Sequence, residues 1–107
     1  MFYTSYDGYA YRSEDEIRIR YENDVRYNGC PASFEDYLKG FEISPVAYTV
    51  EENEYGEEEW KSTGMLYATA KHANKFAHSL ERANELDIRE GLCPNTGYKT
   101  RVREVLS

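Results

Sequence analysis

The chain has 107 residues, 20 of them Asp or Glu and 13 Lys or Arg, giving a net charge of −7 at pH 7; 40% are hydrophobic and 15% aromatic. That length predicts one domain over residues 1–107 with one small core, and the apolar content excludes a chain disordered by composition. No run approaches the roughly 20 apolar residues of a membrane span, and phosphate repels a net anion, which excludes a membrane protein and a general nucleic-acid binder.

The start of the chain, Met1–Asp7, has no basic region followed by an apolar one, so the protein is expected to be cytoplasmic and not exported. Residues 2–11 place aromatic and β-branched side chains on both sides of Asp7-Gly8, a dipeptide that accepts positive φ, and predict a β-hairpin. Ser13 and Glu16 form a capping-box pattern that opens a helix over 14–27, with Ile17, Tyr21 and Val25 as its buried stripe. Ile17, Ile19 and Tyr21 also alternate as a strand would, so both readings stand there. Asn28-Gly29-Cys30-Pro31 ends the helix, since glycine suits a left-handed C-cap and proline cannot continue the ladder.

Ser33 with Asp36 starts a second, short helix with Phe34, Tyr37, Leu38 and Phe41 on one face. Residues 45–50 are β-branched and aromatic and predict a strand, with 57–62 returning beside it around Asn53–Gly56. From Gly64 to about Leu86, apolar residues recur at three- and four-residue steps (Leu66, Ala70, Ala73, Phe76, Ala77, Leu80, Ala83) and predict a long amphipathic helix. Tyr98, Thr100 and Val102 alternate with Lys99, Arg101 and Arg103, as in a half-exposed final strand over 98–103, a terminal helix being the alternative. The expected fold class is α+β: a small antiparallel sheet packed on one long helix, with two shorter helices.

Charge and tyrosine are unevenly spread. Residues 1–60 carry 15 acids against 5 bases, and residues 61–107 carry 5 acids against 8 bases. Nine of the 11 tyrosines lie before residue 56. Either the two halves attract each other within one fold, or the first presents an acidic, tyrosine-rich face to a basic partner.

Candidate chemistry is sparse. Cys30, Cys93, His72 and His78 are zinc-type ligands, but the histidines lie six apart, about 240° around a helix, and neither cysteine belongs to a CxxC pair. No metal and no cofactor is expected, and the two cysteines read as reduced thiols. No nucleophile elbow, zinc-protease or phosphate-loop motif occurs, so no catalytic residue is assigned.

The run 51–60 stands out instead, with Glu51, Glu52, Glu54, Glu57, Glu58 and Glu59 among Tyr55 and Trp60 and with Tyr48 just upstream. Six carboxylates so close repel one another. Either they form a hairpin tip in water, or they form a docking surface in which carboxylates stand where phosphates would, with the aromatics as anchors. Glu35 and Asp36 are candidate members of the same surface, with Glu14, Asp15, Glu22 and Asp24 as further acids. The basic residues Lys71, Lys75, His78, Arg82, Lys99, Arg101 and Arg103 are interrupted by acids, and are expected to pair with the acidic half within the chain or across a homodimer.

The first forty residues resemble small acidic proteins of bacteriophages and mobile elements, in the Asp7-Gly8 hairpin, the Ser13-Glu14-Asp15-Glu16 cap and Ser33-Phe34-Glu35-Asp36-Tyr37-Leu38. Pro31-Ala32-Ser33 with Tyr37 resembles part of the ArdA-type antirestriction family of DNA mimics. The resemblance implies a phage-type inhibitor, of the antirestriction or anti-CRISPR kind, that binds a basic nucleic-acid-binding host defence or DNA-processing protein. The alternatives are a regulatory interaction module or homodimer using an apolar or tyrosine surface, and a small enzyme.

Overall fold

The computed structural model describes all residues from Met1 to Ser107. The N-terminal hairpin forms as expected: β1 (Phe2–Thr4) and β2 (Ala10–Tyr11) pair antiparallel with Tyr3 opposite Tyr11. Gly8 in its turn adopts φ +96°, and a Cβ there would lie 2.2 Å from the His72 ring, so both the backbone and the space demand glycine. The Arg20 guanidinium closes the turn, donating to Asp7 Oδ2 at 2.8 Å and to the Tyr11 hydroxyl at 2.9 Å, while Ser5 Oγ donates to Asp7. Burial opposes ionisation of Asp7, but the Ser5 and Arg20 hydrogen bonds outweigh it and hold the carboxyl below its ordinary range.

Helix α1 (Glu14–Asn28) settles the ambiguity at residues 17–21. Ile17 is fully buried while Ile19 is 62% exposed, whereas a strand would have put both on one side. The capping box is present in a shifted form. Ser13 Oγ accepts from the Glu16 amide, and Glu16 Oε2 reaches past the cap to the Arg12 amide at 2.8 Å. Gly29 ends the helix in the left-handed conformation. Val25, expected in the buried stripe, is exposed, because the face of α1 that meets the hairpin and α2 (Phe34–Leu38) is centred on Ile17, Arg20, Tyr21 and Asp24, which leaves Val25 at its margin, about 80° round the helix from Ile17. Tyr21, Phe34, Tyr37, Phe41 and Tyr11 form a chain of ring contacts, each 5.1–5.8 Å between centroids, that ties α1 and α2 to β2.

Two three-stranded antiparallel sheets replace the single sheet expected. β3 (Glu42–Ser44) adds to β1, giving the order β2-β1-β3. β4 (Val46–Asn53) lies between β5 (Lys61–Tyr67) and β6 (Lys99–Leu106), giving β5-β4-β6. The sheets meet where Tyr9 bridges Tyr67 and the Ala68 amide donates to the Gly8 carbonyl at 2.7 Å.

The strand expected at 57–62 starts only at Lys61, and the helix expected from Gly64 starts only at Ala70. Helical spacing was misleading between these points, because Leu66 and Tyr67 pair across the sheet with Thr49 and Tyr48. The Thr69 hydroxyl, accepting from the His72 amide, is the true N-cap of α3 (Ala70–Arg89). The terminal segment is a strand whose half-buried positions, Thr100 and Val102, are the alternating ones expected.

The core is divided. Val50 and Tyr67 pack against Ala73 and Ala77 of α3, where the small side chains let helix and sheet approach closely. Phe2, Ala10 and Ala47 pack between the two sheets. Only 13 of 107 residues are buried. The molecule extends 48 × 31 × 20 Å with a radius of gyration of 16.7 Å, against about 13 Å for a compact chain of this length.

Candidate functional site

The acidic run lies on the β4–β5 hairpin, and its members divide into structural and exposed groups. Strand alternation turns Tyr48 and Val50 toward α3, and Glu51 to the opposite face. Tyr48 packs half-buried against the Val50–Ala77 core, so it is not an exposed anchor. Glu51 is only 7% exposed. Its carboxylate accepts a hydrogen bond from Arg101 Nε at 2.9 Å and forms an ion pair with Arg103, Nε to Oε2 3.1 Å. Burial disfavours its charge, but the Arg101 and Arg103 guanidiniums beside it outweigh that and hold its pKa below the ordinary value. Glu51 therefore belongs to the fold and not to a docking surface.

Glu52 is half-buried, flanked across the ladder by Lys61 and Thr100. Burial first, and then the carboxylates of Glu52, Glu54 and Glu81, push the Tyr98 hydroxyl up to about 12. Asn53 is 4% exposed and clasps the tip, its side-chain amide donating to the Glu57 carbonyl at 2.6 Å and the Glu59 carbonyl at 3.2 Å. The Tyr55 amide donates to the Thr96 carbonyl at 2.7 Å. These bonds hold a loop in which Tyr55 has φ 59°, a left-handed conformation uncommon outside glycine and asparagine.

Glu54, Tyr55, Glu57, Glu58 and Glu59 are all exposed on this tip. No cation lies within ion-pair distance of any of the four carboxylates. Trp60 is half-buried, with the Arg101 guanidinium 4.4 Å above its ring, so it anchors the hairpin to β6.

Glu35 and Asp36 do not join this group. They sit on α2, in the aromatic cluster that leads to β2, and Asp36 pairs with Lys39. β4 enters beside Phe2 and Ala10 at Ala47 and reaches the tip at Asn53, about 20 Å further on. Asp24 is likewise engaged: Tyr37 donates to it at 2.5 Å and Asn28 at 3.1 Å. Glu14, Asp15 and Glu22 are exposed on α1.

The zinc-type side chains are dispersed. Thr69 Oγ1 lies 2.6 Å from His72 Nδ1, Cys93 Sγ lies 3.9 Å from Asn84 Oδ1, and both thiols are free. No cluster of three or more His, Cys, Asp or Glu side chains is placed to hold a metal ion. A cavity of about 470 Å³ opens between the β1–β2 turn, β3 and the start of α3, with Ser5, Glu42, Thr69 and His72 on its walls.

Arg101 and Arg103 pair with the acidic half within the chain, as expected, but reading residues alone left two features unseen: that Glu51 is the acid they pair with, and the Asn53 clasp. The first had a signal, the arginines alternating on one strand opposite a strand with an acid run, but the partner acid needs the strand register. The second had none, since an asparagine in a charged run reads as a turn residue. No helix is long and apolar enough to cross a membrane. The chain matches no protein-family model, and no curated protein or solved structure is significantly similar to it.

Proposed function

We propose that this protein is a non-enzymatic binding protein that docks the tip of its β4–β5 hairpin onto a basic, nucleic-acid-binding surface of a partner protein. The observation that carries this reading is the contrast within one acidic run. Glu51 takes both nearby arginines, while Glu54, Glu57, Glu58 and Glu59 stand together in solvent with no cation. Self-repulsion at such a tip costs stability that a basic partner recovers on binding.

The Asn53 and Tyr55 bonds preorganise the loop, so little chain entropy is lost on docking. Tyr55, 71% exposed at the same tip, supplies a rigid amphipathic contact. The resemblance of the first forty residues to phage-encoded acidic proteins suggests a host defence or DNA-processing protein as the partner.

The test is affinity capture from bacterial lysate at about 0.1 M and about 0.5 M salt, a range over which the Debye length falls from about 10 Å to about 4 Å. Duplex DNA is then added as competitor. The expected partner is retained at low salt, released at high salt and displaced by DNA. The triple variant Glu57→Lys, Glu58→Lys, Glu59→Lys is expected to lose it while keeping the wild-type melting temperature within a few degrees. Undiminished capture by that folded variant would sink the proposal.

A further inference from the structure

We infer that the free edge of β6 and the groove between β6 and α3 form a second binding site, which takes an extended acidic segment of a partner protein as an added strand. β6 pairs with β4 on one side and with no strand on the other. Antiparallel partners exchange backbone hydrogen bonds at alternate residues. The Thr100 amide donates outward, to Glu81 Oε1 at 2.9 Å, whereas the Ser107 amide donates inward, to the Pro45 carbonyl. By the same alternation the amides and carbonyls of Val102, Glu104 and Leu106 face away from β4. Glu81 also accepts from the Thr100 hydroxyl, and so blocks the edge at Thr100 while leaving the rest open.

Beside this open edge lies a cavity of about 190 Å³ between strand and helix, walled by Asn74, Ala77, His78 and Val102. An unpaired edge next to a groove offers a peptide main-chain bonds along the strand and a pocket for alternate side chains. The molecule also exposes 7483 Å² of surface, about 1,300 Å² more than a compact protein of this mass. A standard interface takes about 800 Å² from each partner.

Charge selects the occupant. On the face away from α3, β6 presents Lys99, Arg101 and Arg103, and Glu51 is the one acid paired with them. Each guanidinium carries five donors; Glu51 accepts one hydrogen bond from Arg101 and forms an ion pair with Arg103, both through Nε, so the other donors stay unused by it. A segment with acids at alternate positions meets these donors, while its intervening side chains enter the groove.

A second copy of β6 does not fit. Every symmetric antiparallel register covering at least five residues sets like charges opposite: Arg101 against itself, Arg101 against Arg103, Arg103 against itself, or Glu104 against itself. This site is separate from the hairpin tip proposed above, so the two stand or fall independently.

The probe is a fluorescein-labelled peptide of alternating Glu and Val, with the Lys and Val counterpart as control, titrated by fluorescence anisotropy and by amide NMR. The expected result is saturable binding of the acidic peptide alone, with the amides of Val102, Glu104 and Leu106 gaining protection from hydrogen exchange. Glu104→Pro removes the central outward donor without touching the ladder to β4. It also deletes a negative charge, so an affinity loss of about tenfold in this variant reports the backbone bond. Should that variant unfold, His78→Trp fills the groove from an exposed helix position and is expected to give a comparable loss. The triple lysine variant of the tip is expected to bind the acidic peptide as wild type does. The inference is overturned if neither peptide saturates, if both bind equally, or if β6 becomes protected only through concentration-dependent dimerisation.

Discussion

Replacing Glu51 by glutamine isolates the charge of the one buried acid in the run. Its side chain is 9% exposed, accepts one charge-assisted hydrogen bond from Arg101 and forms an ion pair with Arg103, while Arg101 and Arg103 are 48% and 52% exposed. Hydrogen bonds to a charged group are worth about 1.5–3 kcal/mol each when buried. Here the half-exposed guanidiniums regain water when the charge is lost, and glutamine keeps one acceptor, so the expected cost is about 2 kcal/mol. At about 2.1 cal/mol/K of unfolding entropy per residue, that lowers the Tm by about 9 °C.

The pH dependence follows from the depressed pKa of Glu51. Its charge contributes stability that is present above the ordinary value of 4.5 and is lost as pH falls through the lower folded-state value. The gap between wild type and Glu51→Gln is therefore widest near neutral pH and closes in acid, where Glu51 is protonated and resembles glutamine. Thermal melts followed by circular dichroism at pH 7 and at about pH 3 measure both. Equal Tm values at pH 7, or a gap undiminished at low pH, would refute the reasoning.

Two further substitutions test the packing. Gly8→Ala meets both the φ of +96° and the His72 ring, so it is expected to cost about 2–4 kcal/mol. In a His72→Ala background the steric part disappears, and a chemical-denaturation cycle should show coupling of at least about 1 kcal/mol; strict additivity would rule the clash out. Tyr37 is pushed up to about 12, first by burial and then by its bond to Asp24. Its stabilisation is present below the ordinary tyrosine value of 10.0 and is lost as pH rises towards about 12. The Tyr37→Phe variant is expected to raise the Asp24 pKa towards 3.8, because the Tyr37 hydrogen bond is the largest cause of its lowering. Carboxyl NMR resonances followed against pH check this, and an unmoved Asp24 titration would show that the bond is not formed in solution.

What residues alone determined is local. The Asp7-Gly8 hairpin, the Ser13 and Ser33 caps, the Gly29 stop and the alternation of β6 depend on neighbours within a few positions, and all are present. What tertiary structure decided is long-range. Leu66 fits a helical step to Ala70 as well as a strand position, and only pairing with Thr49 put it in β5. Glu51 and Glu57 belong to one acidic run. Register across 50 residues placed Arg101 on the first and left the second in water. Local patterns cannot report such partners, because ionic and strand contacts are set by which segments meet, and that depends on the packing of the whole chain.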